Sequence, residues 1–179
     1  KELASISTSL APSQAVSEAA SFTLDLDLNG MKTSITLADL EKDPAYLEGK
    51  GSYTTSAGTR YSNMYSGVSL SALLGRYMNL SPEDSVSFLA TDGYEMTYPG
   101  SLILDEAEGT WLLAFKMDGD YLPKNPSYIR TIKVGPKDPN IDGHLSVKMI
   151  KSVVVKQKGF KDFSLSYSGK MSGSMDRST

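Results

Sequence analysis

Few residues in this chain are equipped for catalysis by a side chain alone. His144 is the only histidine, and the 179 residues contain no cysteine. That absence removes disulfides, zinc-thiolate sites, iron–sulfur clusters and a cysteine nucleophile together. A Ser-His-Asp hydrolase or a histidine-based metal centre could be assembled only around His144. This histidine sits in a loop punctuated by Pro and Gly, where a solvent-facing ring is the expectation. Asp92, Asp105, Glu106 and Glu108 offer carboxylates, but their spacing fits neither a glycosidase pair nor a calcium-binding loop, so solvated carboxylates are expected. No Gly-x-Gly-x-x-Gly or Walker-type phosphate loop is present.

The elements that must position these residues are mostly strands. From Phe22 the alternation is strict: Phe22, Leu24, Leu26 and Leu28 share one face, Thr23, Asp25 and Asp27 the other, and Asn29-Gly30 predicts a tight hairpin turn. A return strand over residues 31–36 leads into one helical turn at 37–41, stopped near Pro44. A second strand region is expected over about residues 51–61. Ser69 is a suitable N-cap for a helix whose Leu70, Leu73, Leu74 and Tyr77 fall at helical spacing.

Val86, Phe88 and Ala90 then alternate into Asp92-Gly93-Tyr94, a hairpin connection towards Met96 and Tyr98. Residues 110–117 form an apolar strand ending in Asp118-Gly119-Asp120, residues 129–134 another, and a loop over 135–143 precedes a closing strand at 147–156. The sum is an α+β domain over residues 22–158, built on mixed or antiparallel β-sheets with one or two short helices. Residues 1–21 read as a linker or leader arm. In the tail, residues 159–179, the pattern Phe163, Leu165, Tyr167, Gly169 and Met171 repeats the first hairpin, which predicts either the start of a second copy or a swapped hairpin.

Three segments carry a resemblance. The run from Tyr65 through Gly67, Val68 and Leu70 to Leu73 and Leu74 follows an aromatic-x-Gly-Val-x-Leu-x-x-Leu-Leu pattern. Val86 to Tyr94 is a strand ending in Asp-Gly-Tyr, and Trp111 to Leu122 contains a Leu-Ala-aromatic-x-x-Asp-Gly-x-x-Leu hairpin. Tyr128-Ile129-Arg130 and Ser146-Val147-Lys148 follow in order. Together these resemble the molybdopterin-binding domain of the sulfite-oxidase-type oxidoreductases, over most of residues 65–155. The resemblance implies that family's fold.

It also implies a site. The family binds a molybdenum through a pterin dithiolene and one protein cysteine, commonly in Cys-Ala-Gly-Asn-Arg. Here Ser56-Ala57-Gly58-Thr59-Arg60 resembles that stretch, with serine where the cysteine would stand. A serine hydroxyl has a far higher pKa than a thiol and is a harder ligand, so Ser56 as a metal ligand is set below Ser56 as a small polar residue of a strand or turn. By the same resemblance Arg130 and Lys148 lie near the pterin phosphate, with His144 and Ser146 beside them. A guanidinium fork and a point charge suit such an anion. The bland reading of Arg130 is a strand residue facing water. The Gly-containing loop over residues 135–146 could add backbone N–H donors. Tyr53, Tyr61, Tyr65, Tyr94 and Tyr98 fall around the implied cleft, either lining it or filling a β-rich core.

Composition bounds the function. With 40% hydrophobic and 22% charged residues the chain is an ordinary globular one, and a net charge of −3 with scattered lysines argues against nucleic-acid binding. No apolar run is long enough for a transmembrane helix. A chain that begins at Lys1, lacks cysteine and is rich in Ser and Tyr reads as processed and exported, or displayed at a cell surface. The favoured expectation is a non-catalytic binding or structural module without a cofactor, its protein or small-molecule ligand in the inherited cleft. The alternative is a molybdopterin-dependent oxidoreductase domain in which Ser56, water or oxo groups replace the cysteine. Fold alone does not choose between them.

Overall fold

The computed structural model describes residues 19, 21–122 and 129–159. Most of the arm expected over residues 1–21, and all of the tail beyond residue 159 with its second hairpin-like pattern, lie outside the described residues. Ala19 is buried and its carbonyl accepts the Phe22 N–H, so the packed body already includes it.

Alternation places β1 (Thr23–Leu28) with Leu24, Leu26 and Leu28 buried, and β2 (Met31–Thr36) returns antiparallel to it. The turn works because Asn29 and Gly30 both take positive φ, 57° and 93°, the geometry an Asn-Gly hairpin supplies with least strain. Thr36 caps α1 (Leu37–Glu41) by accepting the Asp39 N–H at 3.1 Å. The expected strand over residues 51–61 is instead a long hairpin, β3 (Tyr46–Thr54) and β4 (Arg60–Ser69), with its turn at residues 55–59. Thr55 Oγ1 accepts the Thr59 N–H and Gly58 takes φ +88°, which breaks the strand where alternation did not.

Ser69 caps α2 (Leu70–Gly75), accepting the Ala72 N–H at 3.3 Å. Leu70, Leu73 and Leu74 are fully buried, each removing apolar surface worth roughly 2 kcal/mol. Tyr77 is not part of that stripe. It lies beyond the last helical residue and is exposed. A further short helix, α3 (Gly100–Leu104), follows the hairpin of β5 (Ser85–Ala90) and β6 (Glu95–Pro99). The remaining strands are β7 (Thr110–Met117), β8 (Asp120–Tyr121), β9 (Arg130–Val134), β10 (Asn140–Asp142) and β11 (Ile150–Lys156). The closing strand is thus shorter than expected, because residues 143–149 form a 3₁₀ turn and loop in which Met149 takes φ +61°.

Two sheets result. One has the order β2-β1-β11-β5-β6, antiparallel except for the parallel pair β1–β11. The other has the order β10-β3-β4-β7-β8, with β9 pairing the first half of the β7 edge that β8 continues. This second sheet curls until β9 meets β3. The Gly135 N–H donates to the Lys50 carbonyl at 2.9 Å, and a Cβ on Gly51 would overlap the Lys133 carbonyl oxygen. Tyr98 of the first sheet packs on Phe88 and on Trp111 of the second, at ring distances of 4.8 and 5.0 Å, within one continuous apolar core. The α+β expectation of mixed sheets with a few short helices holds. Among the described residues no helix is long and apolar enough to cross a membrane.

Candidate functional site

Residues 143–149 cross from β10 in one sheet to β11 in the other, and the space beside this crossing is a cleft of about 350 Å³. That is the lower end of the range for small-molecule sites. One wall is the β3–β4 hairpin, through Tyr53, Thr55 and Ser56; the β5–β6 turn adds Ala90, Asp92 and Tyr94. The crossing itself contributes His144, Ser146 and Lys148, and β9 contributes Arg130. All five residues singled out from sequence, Arg130, Lys148, His144, Ser146 and Ser56, therefore line one cavity.

Arg130 does not face water along its strand; it is 8% exposed. Its Nε and Nη2 both donate to Ser146 Oγ, at 3.2 and 2.7 Å, and its guanidinium lies 4.7 Å from the Tyr53 ring centroid. Among the described residues no carboxylate pairs with it. A buried cation without a counter-charge is costly, and its remaining donors favour an anion arriving from the cleft. Ser146 is saturated. Its hydroxyl accepts twice from Arg130 and donates to the Thr131 carbonyl at 2.9 Å, so it orients the guanidinium and has no further proton to offer a ligand.

Lys148 is exposed and free of any ion pair among the described residues. His144 is exposed too, and its Nδ1 sits 2.8 Å from Asp142 Oδ1. The Asp142 carboxyl is held below its usual range by the His144 backbone N–H and then by the imidazole. The cleft lining holds three basic side chains against the single carboxylate of Asp92.

Ser56 occupies the exposed β3–β4 turn at the cleft mouth, a setting for a small polar residue. Arg60, four residues on, points elsewhere. It donates to Ser52 Oγ at 3.0 and 2.9 Å and pairs with Asp138 at 3.2 Å, on the strand face opposite Tyr53 and Tyr61. The stretch that resembles Cys-Ala-Gly-Asn-Arg thus brings one residue to the cleft and takes the other away. Of the tyrosines, Tyr53 and Tyr94 line the cleft and Tyr61 stacks on Tyr53 at 5.4 Å, while Tyr65 and Tyr98 are core. The cleft is not plugged by them. Among the described residues no group of three or more His, Asp or Glu side chains could hold a metal ion, and Asp105, Glu106 and Glu108 lie away from this cleft.

Two residues that matter to the geometry carried little signal in the sequence. Asp142, which ties His144, was one more loop carboxylate. Thr131, in a strand buried along its whole length, meets the crossing through both its side chain and its peptide group.

No protein-family model matches the chain, and no curated protein matches it. Among solved structures it is similar to the sulfane dehydrogenase SoxCD from Paracoccus pantotrophus, with a TM-score of 0.60 and 18% identity. The match covers 76% of this chain and 38% of that one, so this chain spans well under half of that protein's length. The likeness is one of fold. This chain shares with that structure an α+β fold of mixed sheets with a few short helices.

Proposed function

We propose that the chain is an exported, non-catalytic binding module that uses this cleft to hold an anionic group of a small molecule or of a protein partner. The observation that carries the reading is Arg130, buried, oriented by Ser146 and without a carboxylate among the described residues. Lys148 adds charge to the lining, His144 adds a polar ring, and Tyr53 offers a rigid aromatic wall. The donor set suits an oxyanion. It does not suit the family's metal, because no thiolate exists in the 179 residues and Ser56 is an exposed turn hydroxyl. Export is supported by the cysteine-free, Ser- and Tyr-rich composition alone.

A second reading is favoured by one specific observation, that Ser56 shares the cleft with Arg130 and Lys148. In it the chain is a molybdopterin-dependent oxidoreductase domain: Arg130 and Lys148 hold the pterin phosphate, and the metal supplies two-electron chemistry when bound.

Both readings are tested on protein made in a molybdate-fed host able to build and export the cofactor. Elemental analysis for molybdenum, with pterin fluorescence after oxidation, is paired with an NMR titration of inorganic phosphate. The binding-module reading expects folded protein without stoichiometric metal or pterin, and saturable phosphate shifts at the cleft that vanish in Arg130→Gln. Stoichiometric molybdenum and pterin would sink it in favour of the second reading.

A further inference from the structure

We propose that Thr131 is the positioning residue of the cleft, holding residues 145–147 against β9 and so fixing the spacing between Arg130 and the His144–Lys148 strip. The inference rests on the binding-module reading. Thr131 is fully buried and lies next to Arg130, on the opposite face of the strand. Every polar group it owns is turned to the crossing. Its N–H donates to the Val147 carbonyl at 3.0 Å, and its carbonyl accepts the Ser146 hydroxyl at 2.9 Å. Its hydroxyl donates to the Leu145 carbonyl at 2.9 Å, accepts the Val147 N–H at 2.9 Å and meets the Tyr98 hydroxyl at 3.1 Å.

These bonds make residues 145–147 a short extra edge on β9. The edge is braced from the other sheet, because the Tyr98 hydroxyl also reaches the Leu145 carbonyl while its ring is wedged between Phe88 and Trp111. Ser146 then stands where it can hold Arg130, and His144 and Lys148, on either side of the pinned residues, are set across the cleft. A valine has the shape of threonine without its hydroxyl, so at this position it removes the bonds to the Leu145 carbonyl and the Tyr98 hydroxyl and leaves the buried Val147 N–H without its acceptor. A hydroxyl in this place therefore acts through Ser146 and the loop, not by touching a ligand.

The test reads two quantities on wild type, Thr131→Val, Thr131→Ser and Tyr98→Phe: amide hydrogen exchange at Val147, referenced to Val153 in β11, and affinity for inorganic phosphate. Thr131→Val is expected to speed Val147 exchange relative to Val153, and to weaken phosphate binding, each by roughly tenfold. Thr131→Ser, which restores the hydroxyl, should return both to within about threefold of wild type. Tyr98→Phe, which keeps the ring, should shift both in the same direction by a smaller factor. Wild-type exchange or wild-type affinity in Thr131→Val overturns the proposal, as does failure of Thr131→Ser to rescue. Should Thr131→Val not fold, wild-type values in Tyr98→Phe overturn it. Wild-type protein that ignores phosphate overturns the binding-module reading instead, and the exchange measurement still decides whether Thr131 pins the crossing.

Discussion

Gly67 lies against Leu113 so closely that a methyl group in place of its hydrogen would overlap the Leu113 carbonyl oxygen and stand 2.6 Å from the Ala114 Cα. The contact sits at the bulge between Ser66 and Gly67, where the register of β4 on β7 shifts. Gly67 is the glycine of the Tyr-x-Gly-Val segment, and its reason for being there is this approach of two backbones. Gly67→Ala must push β4 off β7, and we expect a loss of about 3 kcal/mol or failure to fold, read by urea denaturation.

The end of α1 is tied to the β7–β8 hairpin by a three-residue cluster. Glu41 accepts the Tyr121 hydroxyl at 2.6 Å and pairs with Lys116 at 2.5 Å. Burial would raise the Glu41 carboxyl, but hydrogen bonds from Lys116 and Tyr121 and the Lys116 charge outweigh it and hold the group below its ordinary value. A depressed folded-state value means stabilisation that is present above the unfolded value and lost as pH falls through the folded one. Glu41→Gln should therefore lower Tm at neutral pH, with the difference from wild type closing in acid. Tyr121 is pushed up to about 12 by burial, then by its hydrogen bond to Glu41 and that carboxylate's charge. Its contribution is intact below the unfolded value and fades as pH rises through the folded one, so Tyr121→Phe should flatten the alkaline limb of the Tm profile.

Asp84 is a buried carboxylate that accepts the Ser81 and Lys158 N–H groups at 2.8 and 2.9 Å and the Gln157 amide at 3.3 Å. Burial alone would raise it; those donors win and lower it. It fastens the turn before β5 to the residues that follow β11. Asp84→Ala leaves buried donors unpaired and should cost about 2–3 kcal/mol in urea unfolding, whereas Asp84→Asn, which keeps one acceptor oxygen, should cost less.

Arg130→Lys retains the charge but not the planar fork. Lysine cannot meet Ser146 from two nitrogens or lie flat on Tyr53. The expected result is a loss of about 1–2 kcal/mol in stability, seen by thermal or urea unfolding, together with weaker binding of inorganic phosphate. Equal stability and equal phosphate affinity in Arg130→Lys would contradict the geometry assigned to this residue.

The first hairpin was legible because two local signals agree: a period of two in Leu24, Leu26 and Leu28, and a dipeptide made for positive φ. The helix after Ser69 was legible for the same reason, cap and apolar spacing coinciding. Where a structure depends on residues far apart, the signal thins. Strand β10 is three residues that pair with β3 by position alone, in a segment whose prolines read as loop. The break between β3 and β4 rests on Thr55 and Gly58 rather than on any loss of alternation. Arg130 is the sharpest case at the site. A charged residue in a strand reads as solvent-facing until Ser146, sixteen residues away, and Tyr53, on another strand, are known to receive it. The family resemblance pointed to Arg130, Lys148, His144, Ser146 and Ser56 as neighbours, which periodicity could not have done.

The parallel pair of β1 and β11 sets a condition on how the molecule comes into being. Strand β11 is the middle strand of its sheet, joining the β1–β2 hairpin on one side to the β5–β6 hairpin on the other. A ribosome delivers it last of all the described strands. Until it emerges, two hairpins made early have no common partner, and Leu24, Leu26, Val86 and Phe88 wait without Val153 and Val155 to complete the layer between them. The sheet closes by insertion rather than by growth from one edge, which makes folding late, slow in its loop closure and dependent on whatever shelters the nascent chain.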